Sequence, residues 1–399
     1  MNQNFTSDQL LKLCTGHELR TCAGGKGSLV STLDKFYDRI IEGCFDLDLK
    51  SKSDYIHVNG DKTKPENLAH SLILRKLNDN IKRIYKEEQA NRRLIISQLK
   101  VLLEESCPKW IIRSDIKSFY ESINHNRILS KLHDDCLLSY HSLKLLHNVF
   151  DNPCYAGAGL PRGLCISSTM SEIYMRNFDR WIRQCTGVYY YARFVDDIII
   201  LCSSKDSADA IIKTLPSQLD DICCLKINTK KHYLLDEQAL INGDKLEYLG
   251  YQFRYEMRNN KRVLSISIAD KKIKKIKNRI IRSLTQFVKT GDFALLENRL
   301  KFLTGNYSIK KREKTNDLKA GIYYNYSLIN NFSCLEELDA FFHKALYSTN
   351  KSFGRRISGA LDAIQKERLS RFSFKYGFHN KLHYPFSGAD IQKINNCWQ

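Results

Sequence analysis

Tyr189-Tyr190-Tyr191-Ala192-Arg193-Phe194-Val195-Asp196-Asp197-Ile198-Ile199-Ile200-Leu201 sets two adjacent carboxylates between two runs of aromatic and β-branched residues. Such runs favour extended chain, so the stretch reads as strand, turn, strand, with Asp196 and Asp197 where the chain reverses. Two neighbouring aspartates in a mostly buried hairpin repel each other and resist desolvation unless a cation or a proton compensates them. These residues alone leave two readings open, a divalent-metal site and a solvent-exposed Asp-Asp turn.

Working outward, Trp110-Ile111-Ile112-Arg113-Ser114-Asp115 is a second apolar strand that ends in an acid and turns into a helix. Asp115 lies 81 residues before Asp196, far enough for a crossover that lets the two meet across one sheet. Asp115 would also suit a helix N-cap. Residues 156–168 form a Gly/Pro loop leading into a helix through Met170, Ile173 and Tyr174. Beyond the hairpin come a helix over 207–219, the segment 225–231 and a tight hairpin over 245–253. Upstream, 81–86 is basic and partly β-like, and 91–103 enters an amphipathic helix through Arg92 and Arg93. Paired guanidiniums there can clamp a triphosphate or simply be solvated. Residues 1–74 read as helical pieces joined by polar loops, with Pro65 opening a helix through Leu72 and Leu74. The Gly-rich stretch 21–28 lacks the Gly-Lys-Ser/Thr ending of a phosphate loop and reads as a plain loop.

The chain has 399 residues and a net charge of +19, very unevenly placed. Residues 254–399 hold 29 Lys+Arg against 12 Asp+Glu, which leaves only +2 for everything before them. A near-neutral body with a strongly basic C-terminal third points to a polyanionic partner, of which nucleic acid is the usual one. Thirteen scattered cysteines and no apolar N-terminal segment imply free thiols in a reducing, cytoplasmic compartment. Cys14, His17 and Cys22 lack a second ligand pair at zinc-like spacing. No apolar run is long enough for a bilayer, so no membrane association is expected.

Taken in order, these stretches resemble the fingers and palm of a reverse transcriptase over roughly residues 75–255. Asp115 is similar to the family's first catalytic aspartate, and Leu160-Pro161-Arg162-Gly163 to its nucleotide-pocket loop. Phe194-Val195-Asp196-Asp197 resembles its aromatic-x-Asp-Asp hairpin, Lys231 the lysine after it, and Tyr248-Leu249-Gly250-Tyr251 the primer grip. The resemblance implies an α+β right-hand polymerase with an antiparallel sheet flanked by helices. Its divisions would be an N-terminal helical extension over 1–74, fingers and palm over 75–253, and a basic helical thumb and C-terminal region over 254–399.

It further implies an RNA-directed DNA polymerase using two Mg²⁺ ions, with Mn²⁺ able to substitute, held by Asp115, Asp196 and the Ile116 carbonyl, with Asp197 beside them. Lys231 would protonate departing pyrophosphate, unless it is a surface lysine. Arg92 and Arg93, helped by Lys82 and Arg83, would clamp the triphosphate, and Arg162, Gly163 and Phe194 would line the nucleotide pocket. Tyr120, five positions after Asp115, would be the aromatic gate that excludes a 2′ hydroxyl, unless it is core. The expected partners are dNTPs, an RNA template in the form of a structured noncoding RNA, and the DNA product, and the resemblance allows for a partner polymerase or homo-oligomer. Phe194 in place of the usual tyrosine, Arg162 in place of the usual glutamine and no nuclease signature look most like bacterial defence-associated enzymes of the unknown and abortive-infection groups. The alternatives are a retron or group II intron enzyme and a catalytically quiet RNA-binding scaffold. In the basic third, Ile273, Ile276, Ile280 and Ile281 keep helical spacing and leave Lys271, Lys272, Lys274, Lys275 and Lys277 on the opposite face, suited to a nucleic-acid backbone.

Overall fold

The computed structural model describes all residues except 1, 53, 54, 156, 158, 260, 310–317, 350 and 399. Positions 156 and 158 of the predicted Gly/Pro loop therefore lie outside the described residues. The chain forms two compact units, one of residues 1–95 with 107–236 and the other of 96–106 with 237–399. Helices mix with antiparallel sheets throughout, which is the α+β class expected.

The first unit opens with helices including Gly25–Glu42, then a hairpin of β1 (Leu49–Lys52) and β2 (Tyr55–Val58). The helix Pro65–Tyr85 follows. Its main sheet comprises β3 (Trp110–Asp115), β4 (Val188–Phe194), β5 (Asp197–Cys202) and β6 (Tyr233–Asp236), in the antiparallel order β4-β5-β3-β6. Strands β3 and β5 are central, and this explains their unbroken apolar runs: Ile111, Ile112 and Ile198 through Leu201 are fully buried. The helices Cys165–Gln184 and Lys205–Cys223 pack against the sheet. One core runs from Phe5 through Leu72 and Phe178 to Ile227, so the first 74 residues share their core with the sheet.

Three local expectations are corrected. Residues 81–85 are the end of the 21-residue helix Pro65–Tyr85 and Lys86 is its cap, because Leu77, Ile81 and Tyr85 bury one face at fourfold spacing. The Gly-rich stretch is half helix, since residues 25–28 form the first turn of Gly25–Glu42. The region read as helical pieces also contains β1 and β2, whose short hairpin carries few buried side chains to announce it.

The second unit is built on a meander of β7 (Leu246–Tyr248), β8 (Tyr251–Arg258) and β9 (Lys261–Ile268). Because β8 pairs with β9 from Tyr251↔Ile268 to Arg258↔Lys261, it runs unbroken across the 253/254 boundary. The helix Asp270–Thr290 follows with Ile273, Ile280, Leu284 and Phe287 buried, while Lys271, Lys272, Lys274 and Lys275 are exposed and Lys277, contrary to expectation, is half-buried and paired with Glu337. Among the described residues no helix is long and apolar enough to cross a membrane.

Candidate active site

Strand pairing brings the acids together. Asp115 closes β3 and Asp197 opens β5, and the register sets them directly opposite each other. Asp196 occupies the turn before β5, where its carbonyl accepts a hydrogen bond from the Ile116 amide at 3.0 Å. Asp115 is therefore a strand terminus and not a helix N-cap, a position taken by Ser118.

Each carboxylate has a different electrostatic neighbourhood. Asp115 is 3% exposed. Its Oδ2 accepts from Lys231 Nζ at 2.6 Å and its Oδ1 from Asn228 Nδ2 at 2.8 Å. Burial works against its charge, but the bonds from Lys231 and Asn228 outweigh burial and hold the carboxyl below the ordinary range. Asp197 accepts from Arg113 Nη2 at 2.5 Å. Burial nevertheless pushes its carboxyl up, against Arg113 and with help from Asp196. Asp196 is raised first by burial and then by the charge on Asp115. Its carboxylate takes no side-chain hydrogen bond or ion pair among the described residues.

A cavity of about 420 Å³ opens beside them, lined by Asp115, Ile116, Tyr120, Arg162, Val195, Asp196 and Asn228 among others. Tyr120 is half-buried, and its carbonyl is pinned by the Leu160 amide at 2.7 Å. Arg162 pairs with Glu121 at 2.5 Å, and its carbonyl accepts from the Ile56 amide of β2 at 2.7 Å. Gly163 turns the loop with φ +96°, against β2. Phe194 ends β4 opposite Asp197. Arg92 and Arg93 do not line this cavity; they sit in the first turn of the helix Arg92–Glu104, where the Arg93 amide donates to Asn91. Arg83 pairs with Asp79.

Sequence reasoning missed Arg113 and Asn228. Arg113 had a signal, since an arginine inside a strand as apolar as Trp110–Asp115 has to find a buried anion. Asn228 had none, because it reaches Asp115 only through the Ile116↔Ile227 bridge.

Among the described residues no three His, Cys, Asp or Glu side chains form a ready-made metal cage, and this covers Cys14, His17 and Cys22. The donor set nevertheless fits Mg²⁺, which keeps several waters and is bound by one or two carboxylates plus substrate phosphates. Two carboxyls raised by burial and by their neighbours' charge are the groups a cation would relieve.

Residues 60–253 match the family model of reverse transcriptase (RNA-dependent DNA polymerase). No curated protein matches the chain. Solved structures similar to it include apo telomerase from Candida tropicalis truncated from its C-terminal domain, at 14% identity and TM-score 0.38 over 51% of this chain and 48% of that one. Another is telomerase from Candida albicans in complex with a fragment of telomeric RNA, at 11% identity and TM-score 0.39 over 82% and 51%. The chain thus spans about half the length of these structures. Domains of this family are generally divalent-metal dependent. Residues 60–253, the stretch that is similar to the reverse transcriptase family, include all three aspartates.

Proposed function

We propose that the protein is an RNA-directed DNA polymerase that joins dNTPs with release of pyrophosphate. The observation that carries this is the meeting of Asp115, Asp196 and Asp197 at one end of the sheet, beside a cavity that also holds Tyr120 and Arg162. Asp115 and Asp196, with the Ile116 carbonyl, would hold two Mg²⁺ ions, Mn²⁺ being able to replace them. Bound there, such ions supply the charge that activates a 3′ hydroxyl and stabilises the leaving pyrophosphate.

The chain's own residues do the rest. Tyr120 forms a wall of the cavity against which a 2′ hydroxyl would collide, which selects deoxynucleotides. Arg162 is already neutralised by Glu121, so it shapes the pocket more than it attracts phosphate. Lys231 holds a proton on Nζ beside Asp115 and can give it to pyrophosphate once the lysine swings free. Arg92 and Arg93 serve the triphosphate only if their helix end approaches the cavity when nucleotide binds. The exposed lysines of Asp270–Thr290 form a thumb surface for the RNA–DNA duplex.

Arg162 and Phe194, through the resemblance they carry, support a bacterial antiphage-defence role with a structured noncoding RNA as template in the cytoplasm. The test is to purify the protein with its bound nucleic acid and sequence both RNA and DNA, for the parent and for Asp196→Ala combined with Asp197→Ala. DNA is expected only with the parent. Equal DNA from the double variant would sink the polymerase reading.

A further inference from the structure

The turn that presents Asp196 is strained. Val195 takes φ +60°, a left-handed conformation that a β-branched side chain enters only at a cost. Such a residue persists where its surroundings over-determine it, and here they do. The Ile116 amide binds the Asp196 carbonyl at 3.0 Å from one side. From the other, Arg193 Nη1 donates to the Val195 carbonyl at 3.0 Å.

Arg193 cannot swivel. Its side chain is 4% exposed. Nε donates to Asp179 Oδ1 at 2.8 Å, and Nη2 donates to Asp179 Oδ2 and to Glu172 Oε2, both at 2.7 Å. The Tyr191 hydroxyl donates to the same Asp179 at 2.6 Å. Burial opposes the charge on Arg193, but its bonds to Asp179 outweigh that and hold the guanidinium firmly protonated. Asp179 and Glu172 both belong to the helix Cys165–Gln184, which begins two residues after Gly163. The fork therefore joins the helix behind the nucleotide loop to the turn in front of the sheet.

We infer that Arg193 is a positioning residue: anchored by Asp179 and Glu172, it holds the Val195 carbonyl and so fixes the left-handed turn that aims Asp196 at its metal. It touches neither substrate nor metal and acts only through the backbone of Val195. The inference rests on Asp196 being a metal ligand, as proposed above. A lysine at 193 keeps the charge but cannot hold Asp179, Glu172 and Val195 in one plane.

The test is a double-mutant cycle with a built-in rescue. Arg193→Lys is made in the parent and in Val195→Gly, because glycine adopts φ +60° without strain and no longer needs the clamp. The readout is Mn²⁺ binding to the protein alone, followed by loss of the free-ion paramagnetic resonance signal, with thermal unfolding to confirm folding. Arg193→Lys is expected to weaken Mn²⁺ binding about tenfold or more in the parent. In the Val195→Gly background the same change should cost less than about threefold, since the strain it relieves is gone. A general loss of core packing would cost the same factor in both. Equal factors, or undiminished binding by folded Arg193→Lys, overturn the inference. If Arg193→Lys does not fold, Asp179→Asn carries the same expectation in the same two backgrounds. Because no nucleotide or primer is present, a parent protein that makes no DNA would count against the polymerase reading alone.

Discussion

Gly163→Ala should destabilise the first unit sharply, while Gly27→Ala should stabilise it. Both replace one hydrogen by a methyl group, so the difference comes entirely from where the methyl lands. At Gly163 the backbone has φ +96°, and a Cβ would stand 2.6 Å from the Ile56 carbonyl oxygen of β2. Holding alanine in such a conformation costs about 1–3 kcal/mol. Forcing an atom against fixed backbone adds a further amount on the order of 1–3 kcal/mol. The relief available is to push β2 away, which breaks the 2.7 Å bond from the Ile56 amide to the Arg162 carbonyl. A loss of about 3 kcal/mol is therefore expected, equivalent to a Tm lower by about 6–12 °C for a unit of this size.

Gly27 lies in the first turn of Gly25–Glu42, outside the positive-φ region, and a Cβ there meets nothing within 4 Å. Removing its extra chain freedom should gain about 0.5–1 kcal/mol, or a Tm higher by about 1–4 °C. The assay is thermal unfolding of both variants, followed by the dNTP KM of whichever folds. On the proposed function Gly163→Ala should raise KM because the neighbouring Arg162 lines the cavity beside the acids. A Gly163→Ala protein that melts with the parent would refute the claim that the loop is braced by β2.

Four further outcomes follow from the same geometry. Tyr120→Ala should raise ribonucleotide incorporation about tenfold or more relative to deoxynucleotides; an unchanged ratio of kcat/KM values removes the gate assignment. Asp196→Asn should abolish DNA synthesis and yet melt at or slightly above the parent in chelator, because burial and Asp115 already disfavour its charge; a clearly lower melting point would contradict that electrostatic picture. Glu18 is held down to about 2 despite burial, chiefly by its bonds from Arg75, so its stabilisation is full above the unfolded carboxyl value and disappears as pH falls through about 2. Glu18→Gln should accordingly cost about 3 kcal/mol at neutral pH and flatten the acid limb in urea unfolding. Replacing Lys271, Lys272, Lys274 and Lys275 by Gln should reduce the salt slope of RNA binding by about 0.7 for each phosphate left without its lysine, read from binding across a salt series.

What was legible in the sequence was whatever a single strand or helix imposes on its own residues. The apolar runs around Asp115 and Asp196 reported buried strands, and their chain order allowed the pairing that β3 and β5 make. The isoleucine spacing over 273–280 reported the buried face of Asp270–Thr290. Contacts made between elements were not legible. Nothing local to Asn228 says that it will face Asp115, and nothing in β2 says that it will brace Gly163. The 81–86 stretch misled because its β-branched isoleucines raise strand propensity, whereas the tertiary burial of Leu77, Ile81 and Tyr85 on one face decides for helix.

The charges of the site explain why three acids can share one end of the sheet. Asp115 and Asp197 each have a dedicated cation, Lys231 and Arg113, and among the described residues Asp196 has none. The two cations differ in kind. Arg113 is buried, forks between Asp197 and the Ser114 carbonyl, and cannot leave, so Asp197 stays neutralised in place. Lys231 is about half exposed on a flexible stem, so it can withdraw from Asp115. A cation would therefore be held by Asp196, which has no dedicated cation among the described residues, and by Asp115 once Lys231 withdraws. On the function proposed above, Asp115 and Asp196 would be the ligand pair and Asp197 their support, and Lys231 would be free to act as a proton donor once it leaves Asp115. If so, Lys231→Met should tighten Mn²⁺ binding to the isolated protein severalfold while lowering kcat, because it removes a competitor and a proton donor together. A variant with weaker Mn²⁺ binding would show instead that Lys231 organises Asp115 for the metal.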